Sequence, residues 1–169
     1  MINRLERQDE NMEPLVSIGV PLKNEAENVE ETLASILRQS YVNYEVIISD
    51  NFSTDDTLQR VSAYAERDER FRVFKQDRDI GSISNMNFIL EVSRGELFIM
   101  IGGHDIWSDE YIENLVRVMV SKPTSVLVFG ECIEMDGEGE QVSHHRRTLP
   151  TESMTQSERF ITVAISNQD

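Results

Sequence analysis

Short apolar runs alternate with stretches of helical periodicity along most of this chain, the rhythm of strand–helix–strand units. Leu15–Val20 is apolar and closed by Pro21, which predicts a buried strand. Val29, Leu33, Ile36 and Leu37 recur at helical spacing. Asn24 followed by Glu27 has the form of a capping box for that helix. Tyr44–Ile48 predicts a second strand. Ser53 with Asp56 predicts the cap of a helix with Leu58, Val61 and Ala65 on its apolar face. Phe71–Phe74 predicts a third strand, and Ser84–Arg94 a helix stopped by Gly95 as its C-terminal cap. Leu97–Ile101 is apolar throughout, the pattern of a strand buried on both faces. Ser108 then caps a helix carrying Ile112, Leu115, Val116, Met119 and Val120, and Ser125–Gly130 predicts a fifth strand.

The rhythm weakens after that. Asp136-Gly137-Glu138-Gly139 predicts the turn of a hairpin, Gln141–Thr155 a polar loop and Gln156–Ile165 a short helix. The expected organisation is a polar lead-in over residues 1–14, a core over 15–133 and a hairpin, loop and short helix over 134–169. The fold class is α/β, a Rossmann-like, doubly wound and mostly parallel sheet.

Composition narrows the partners. Of 169 residues, 31 are acidic and 16 basic, a formal net charge of −15. Such a field repels phosphate backbones and argues against a nucleic-acid partner. It also means that any anionic ligand needs local compensation from a metal or from helix N-termini. Cys132 is the single cysteine, so a reducing compartment, the cytoplasm, is expected. A peripheral place at the inner face of a membrane is compatible with this, since no apolar stretch reaches membrane-spanning length.

Ligands of doubly wound sheets bind at the carboxyl ends of the strands. The segments after strands one, two and four are Pro21–Glu25, Asp50–Asp55 and Gly102–Trp107, all rich in polar, ligand-capable residues. Their convergence predicts a binding site there.

These segments are also familiar. Val16–Glu25 resembles the first strand and loop of family 2 glycosyltransferases. Ser35–Tyr41, followed by Asn43, Tyr44 and Glu45, resembles the family's run into its second strand. Asp50-Asn-Phe-Ser-Thr-Asp55 with Thr57 resembles its Asp-Asp-x-Ser-x-Asp-x-Thr signature. Gly81 with Asn87, then Gly95-Glu96, and then Trp107, Ser108, Glu110 and Tyr111 match later family segments. The order and spacing hold from Val16 to Val120, which identifies the family and its GT-A fold.

The resemblance implies transfer of a sugar from a nucleotide-sugar donor, UDP-linked by family preference, to a sugar, lipid or protein acceptor, with inversion. The setting it implies is polysaccharide biosynthesis. Asp50 is implied to accept a hydrogen bond from the nucleoside base, with Pro21, Leu22, Asn24, Glu25 and Asn51 lining the same pocket. Gly81, Asn85, Asn87 and Gly103 are implied to shape the floor beneath the donor. Local pattern offers other roles. Asp50 can begin a turn, Ser53 and Asp55 can belong to a helix cap, and the Asn side chains can tie loops together.

The metal motif departs from the family. Where an Asp-x-Asp is usual, this chain reads Gly102-Gly103-His104-Asp105. His104 stands in place of the acid that holds the ion, with Asp105 beside it as a direct or water-mediated ligand. Imidazole suits Mn²⁺ better than Mg²⁺, so a divalent metal is expected to bind weakly, Mn²⁺ before Mg²⁺, or not at all. His144 and His145, near Arg146 and Arg147, read as a polar loop or as a further source of metal ligands or diphosphate-binding cations. Trp107 reads as a core aromatic or as a lid over the site.

No residue carries the signature of a catalytic base, which the resemblance places in a further downstream region. Asp169 is the final residue and has no such motif. The chain is therefore expected to be truncated on its C-terminal side. The competing readings are a nucleotide-binding module without transfer and a scaffold that binds no nucleotide. A sugar nucleotidyltransferase would need glycines after the first strand, and Pro21-Leu22-Lys23-Asn24-Glu25 has none.

Overall fold

The computed structural model describes residues 13–137 and 139–145. In chain order the elements are β1 (Val16–Leu22), α1 (Val29–Leu37), β2 (Tyr44–Asp50), α2 (Thr57–Ala65), β3 (Phe71–Lys75), α3 (Ser82–Val92), β4 (Leu97–Met100), α4 (Tyr111–Ser121), β5 (Cys132–Met135) and β6 (Gln141–His145). Strands β1 to β4 form one parallel sheet in the order β3-β2-β1-β4. Two compact units divide between Leu127 and Val128. The predicted helix at 156–165 lies outside the described residues, as does nearly all of the lead-in.

Alternation along β1 sorts its side chains between two layers. Val16, Ile18, Val20 and Leu22 join α1, α2 and α4 in the main core, with Val29, Leu33, Ile36, Val61, Ile112 and Val116. Gly19 points the other way, where a Cβ would stand 2.7 Å from Ile89 Cγ2 of α3 and 2.9 Å from Phe98 Cζ. A glycine is what lets α3 lie this close. On β2, Val46, Ile47 and Ile48 are all fully buried, as expected for a strand covered on both faces.

Strand β4 is only half-buried, against the expectation from its apolar run. Among the described residues it pairs with β1 alone and so forms an edge.

Four helix-end assignments also differ. Asn24 does not cap α1; the residue before that helix is Asn28, with no side-chain cap bond. Asp55, rather than Ser53 with Asp56, caps α2, its Oδ1 accepting the Thr57 N–H at 3.0 Å. Ser108 does not cap α4. Gln39, just past α1, supplies that acceptor through its Oε1, which takes the Ile112 N–H at 3.0 Å. Gly95 lies beyond the end of α3, whose cap is Ser93. It is small for another reason: a Cβ there would meet the Ser17 N at 2.6 Å and the Leu15 O at 2.7 Å. For Asn24, Ser108 and Gly95 a contact between distant segments decided the role, whereas the Asp55 bond at α2 is local.

The second unit contains the antiparallel pair β5–β6, with Cys132 opposite His145. Asp136 makes its turn, accepting Gly139 N–H at its carbonyl and Glu140 N–H at its Oδ1. Residues 141–145 are thus a strand, not the start of the predicted loop. Ser125–Gly130 is not a strand, and Val126, Leu127 and Phe129 are exposed.

Candidate functional site

Where β1 ends, the sheet opens. The Gly19 carbonyl accepts from Ile101 N–H and the Leu22 carbonyl from Asn51 N–H. Alternate residues therefore address opposite neighbours, and Pro21 addresses the β4 side. Pairing with β4 stops at Gly19 and Met100, so Pro21, which has no N–H to donate, sits where no partner strand remains. This divergence of β1 and β4 is also where the strand order reverses, the position at which open α/β sheets bind ligands.

Asp50 ends β2 opposite Leu22 and is 1% exposed. Its Oδ2 accepts the Ser53 N–H at 3.2 Å. Its Oδ1 is buried with no hydrogen-bond partner. A buried carboxylate oxygen at a strand end is costly to keep without a donor, whether from water or from a ligand.

Around Asp50 the loops after β1 and β2 are sewn together. Asn24, at φ 56°, donates its N–H to Ser53 Oγ at 2.9 Å and accepts the Thr54 N–H on its Oδ1 at 2.8 Å. Glu25 N–H reaches Thr57 Oγ1 at 2.8 Å and Ala26 N–H reaches Asp55 Oδ2 at 3.2 Å. The Thr57 hydroxyl, first among several hydrogen bonds to Asp55, holds that carboxyl below its ordinary pKa.

A third loop joins through a residue that sequence reasoning missed. Asp79 Oδ1 accepts from Asn51 Nδ2 at 2.8 Å and from Gly81 N–H at 2.9 Å, while Lys23 Nζ donates to its Oδ2. Asn51 Oδ1 in turn accepts the Ile80 N–H at 2.9 Å. The Lys23 bond, followed by the Gly81 N–H, lowers the Asp79 pKa. A single Asp two residues before a glycine at a helix start was the available signal.

The predicted floor residues separate. Gly81 sits at φ 81° immediately before α3, a conformation glycine tolerates. Asn85 is buried, and both ends of its amide are engaged by Ser49: Oδ1 by the hydroxyl at 2.7 Å, Nδ2 with the carbonyl at 3.0 Å. It ties α3 to β2. Asn87 is exposed.

The loop after β4 meets the loop after β1 at Gly103, where a Cβ would stand 2.5 Å from Leu22 Cδ2 and 2.8 Å from Glu25 Cγ. That packing brings His104 Nδ1 to 3.3 Å from Glu25 Oε1. Asp105 Oδ2 accepts the Gly102 N–H at 3.0 Å, folding the acid back onto its own loop. Among the described residues no group of three His, Cys, Asp or Glu side chains converges on a metal position. His104 and Asp105 are exposed, and a divalent ion there would need oxygens from a bound phosphate to complete its shell.

Trp107 packs against the core and beside Tyr111, ring centroids 5.2 Å apart, which is its core reading. His144 lies in the second unit with Nε2 3.0 Å from Glu131 Oε2. Arg146, Arg147 and Asp169 lie outside the described residues.

A parallel α/β sheet whose strand order reverses between β1 and β4, with a buried, unpaired carboxylate at the end of β2, is an architecture of the GT-A type. The family model for glycosyl transferase family 2 matches residues 17–167, and this chain belongs to that family. It is 31% identical over 117 residues to the glycosyltransferase GlyG of Streptococcus pneumoniae, covering 69% of this chain and 39% of that protein. Its fold matches S. aureus TarS solved with UDP, at a TM-score of 0.60 and 24% identity over 64% of this chain and 32% of that one. It matches equally the mannosyltransferase PcManGT of Pyrobaculum calidifontis in complex with GDP-Man and Mn²⁺, at a TM-score of 0.60 and 27% identity, covering 64% and 33%. The chain thus spans well under half the length of these relatives. Among the described residues no helix is long and apolar enough to cross a membrane.

Proposed function

We propose that this chain forms the donor-binding part of a glycosyltransferase that moves a sugar from a nucleotide sugar to an acceptor hydroxyl, with inversion. The observation that carries the reading is Asp50, whose Oδ1 is buried and unpartnered at the carboxyl end of β2. In this reading that oxygen accepts the base N–H. Pro21, Leu22, Asn24, Glu25 and Asn51 form the walls, and Gly81, Asn87 and Gly103 keep the floor clear. Asn85 acts from beneath, fixing Ser49 beside Asp50.

One free oxygen suits the single imide N–H of uracil better than the paired donors of guanine, which favours UDP over GDP. A divalent ion held by His104 and Asp105, Mn²⁺ in preference to Mg²⁺, would supply charge neutralisation for the departing diphosphate. The Mn²⁺ in the mannosyltransferase relative supports an ion of that type. The acceptor is a sugar, lipid or protein. A setting in polysaccharide biosynthesis, in the cytoplasm or at the inner face of a membrane, fits this chemistry.

The replacement of the family's metal-holding acid by His104 favours a second reading, a nucleotide-sugar-binding module without transfer. Calorimetric titration with UDP and GDP, each with Mn²⁺ and with chelator, tests the first. UDP binding in preference to GDP is expected. No binding of either at millimolar concentration removes the donor-site assignment. UDP binding without hydrolysis or transfer of a UDP-sugar establishes the module.

A further inference from the structure

We propose that Lys23 is the local cation for the phosphates of the bound nucleotide, held in place by Asp79 until a phosphate displaces that carboxylate. The inference rests on the nucleotide-binding reading of the Asp50 pocket.

The charge balance poses the problem. A chain with a formal charge of −15 must bring a dianionic diphosphate to a site already holding Asp50, Asp79, Glu25 and Asp105. In the loop after β1, Lys23 is the one basic residue. Its backbone is fixed on both sides: Leu22 pairs with Asp50 and accepts from Asn51 N–H, while Asn24 is bound to Ser53 and Thr54. Paired strands lie about 4.8 Å apart, so Lys23 begins one residue beyond the neighbour of the orphaned oxygen. With the base seated on Asp50, the proposed path takes its ribose and phosphates past Lys23.

The ammonium has a partner already, and that partner belongs to the same rim. Asp79 Oδ1 is engaged by Asn51, the residue after Asp50, and by Gly81 before α3, whereas Oδ2 receives Lys23. The two oxygens thus divide between framework and cation. Loss of Lys23 leaves the Oδ1 bonds intact. Both side chains of the ion pair are nearly half exposed, 47% and 46%. A pair this open holds with a preference of at most about fivefold, so a phosphate carrying two charges can replace the carboxylate. Asp79 therefore presents the lysine at low cost to its release and keeps it from extending into water.

Comparing a nucleoside with its diphosphate isolates the phosphate contribution. Titration of the full chain with UDP and with uridine should show Lys23→Gln lowering UDP affinity about tenfold and uridine affinity less than about twofold, the size of one charge-assisted hydrogen bond. Asp79→Asn keeps an oxygen for Asn51 and Gly81 while freeing the lysine; it should raise UDP affinity about threefold and leave uridine unchanged. Lys23→Arg should retain most UDP binding. Equal losses for UDP and uridine in Lys23→Gln, unchanged UDP affinity in that variant, or a fall in UDP affinity in Asp79→Asn would each overturn the inference while leaving the Asp50 pocket standing. Failure of the unaltered chain to bind either ligand overturns both.

Discussion

Ser17 and Glu45 are register partners across β1 and β2, and the Ser17 hydroxyl donates to Glu45 Oε1 at 2.7 Å within the buried face under α3. Arg94 N–H reaches the same oxygen at 2.7 Å, and Arg72 Nη1 holds Oε2 at 2.9 Å while also donating to the Val92 carbonyl at 3.0 Å. Both oxygens of this carboxylate are engaged, and through Arg94 and Arg72 they pin the end of α3 and the turn into β4. Burial pushes the Glu45 pKa up, but the combined bonds from Ser17, Arg94 and Arg72 outweigh it and leave the pKa below the ordinary 4.5. A carboxyl with a lowered folded-state pKa contributes stability that is present above its unfolded pKa and lost as pH falls through the folded one. Glu45→Gln should cost about 3 kcal/mol near neutral pH, since it strands Arg72 beside a neutral amide. The difference in melting temperature between the variant and the unaltered chain should shrink as pH drops below 4.5. A difference independent of pH would mean that packing, not charge, holds this junction.

In the proposed function Asp50 trades stability for binding: its unpaired Oδ1 costs the fold and is the acceptor offered to a ligand. Asp50→Asn should leave the melting temperature level or higher, since burying a neutral amide is cheaper than burying an ion. Nucleoside affinity should fall at least about tenfold, with or without Mn²⁺, the order expected for a lost hydrogen bond to a charged group. Asp50→Ala should weaken binding as well. Unchanged affinity for uridine in both removes Asp50 from the pocket.

Two glycines on the rim are required for different reasons, and alanine substitution separates them. At Gly103 the added carbon meets Leu22 and Glu25 at under 3 Å, forcing the loop after β4 off the loop after β1. About 1–3 kcal/mol of stability should be lost, as in other overpacked sites. At Gly81 the carbon meets nothing within 4 Å, but φ is 81° with ψ 156°, so the cost is backbone strain of about 1–3 kcal/mol at the start of α3. Truncating Leu22 to Ala should partly rescue Gly103→Ala and leave Gly81→Ala unimproved. Denaturant melts of the double variants read this directly.

His104→Asp restores the family's acid and places it near Glu25. Two carboxylates at this distance repel without an ion and share one when it is present. Nucleotide affinity should fall in chelator and rise with Mn²⁺, increasing the ratio of the two by about tenfold or more. An unaltered Mn²⁺ dependence would show that position 104 does not face the ion.

The sheet was readable from the sequence because short apolar stretches mark β1, β2 and β3: alternate Val and Ile residues in β1, the Val46-Ile47-Ile48 run in β2 and Phe71 at the start of β3 are buried. The helices were readable too, since Val29, Leu33 and Ile36 mark one face of α1 whatever lies around it. What local pattern could not give was the use of polar side chains between segments. Asn24, Ser53 and Ser108 all have the chemistry of helix caps. Asn24 and Ser53 are instead bound to each other's loops, and Gln39 reaches across to α4 in place of Ser108. The apolar content of β4 was visible, but its place at an edge depends on what pairs with it. Within the site, Asp50 emerged from motif order, whereas the role of Asp79 was only hinted at by its place two residues before Gly81, because its other partners lie 28 and 56 residues away.

The five hydrogen bonds that join residues 24–26 to residues 53–57 make two loops from separate strand–helix units into one frame. Neither loop can gain or lose a residue without breaking the match to the other. Diversification of this pocket is therefore confined to side chains hung on a frame of fixed length: exchanges at positions such as 23 and 52 are open, and insertions are not. A library that varied loop length would lose the frame before it found a new ligand, whereas one that varied those side chains would keep it.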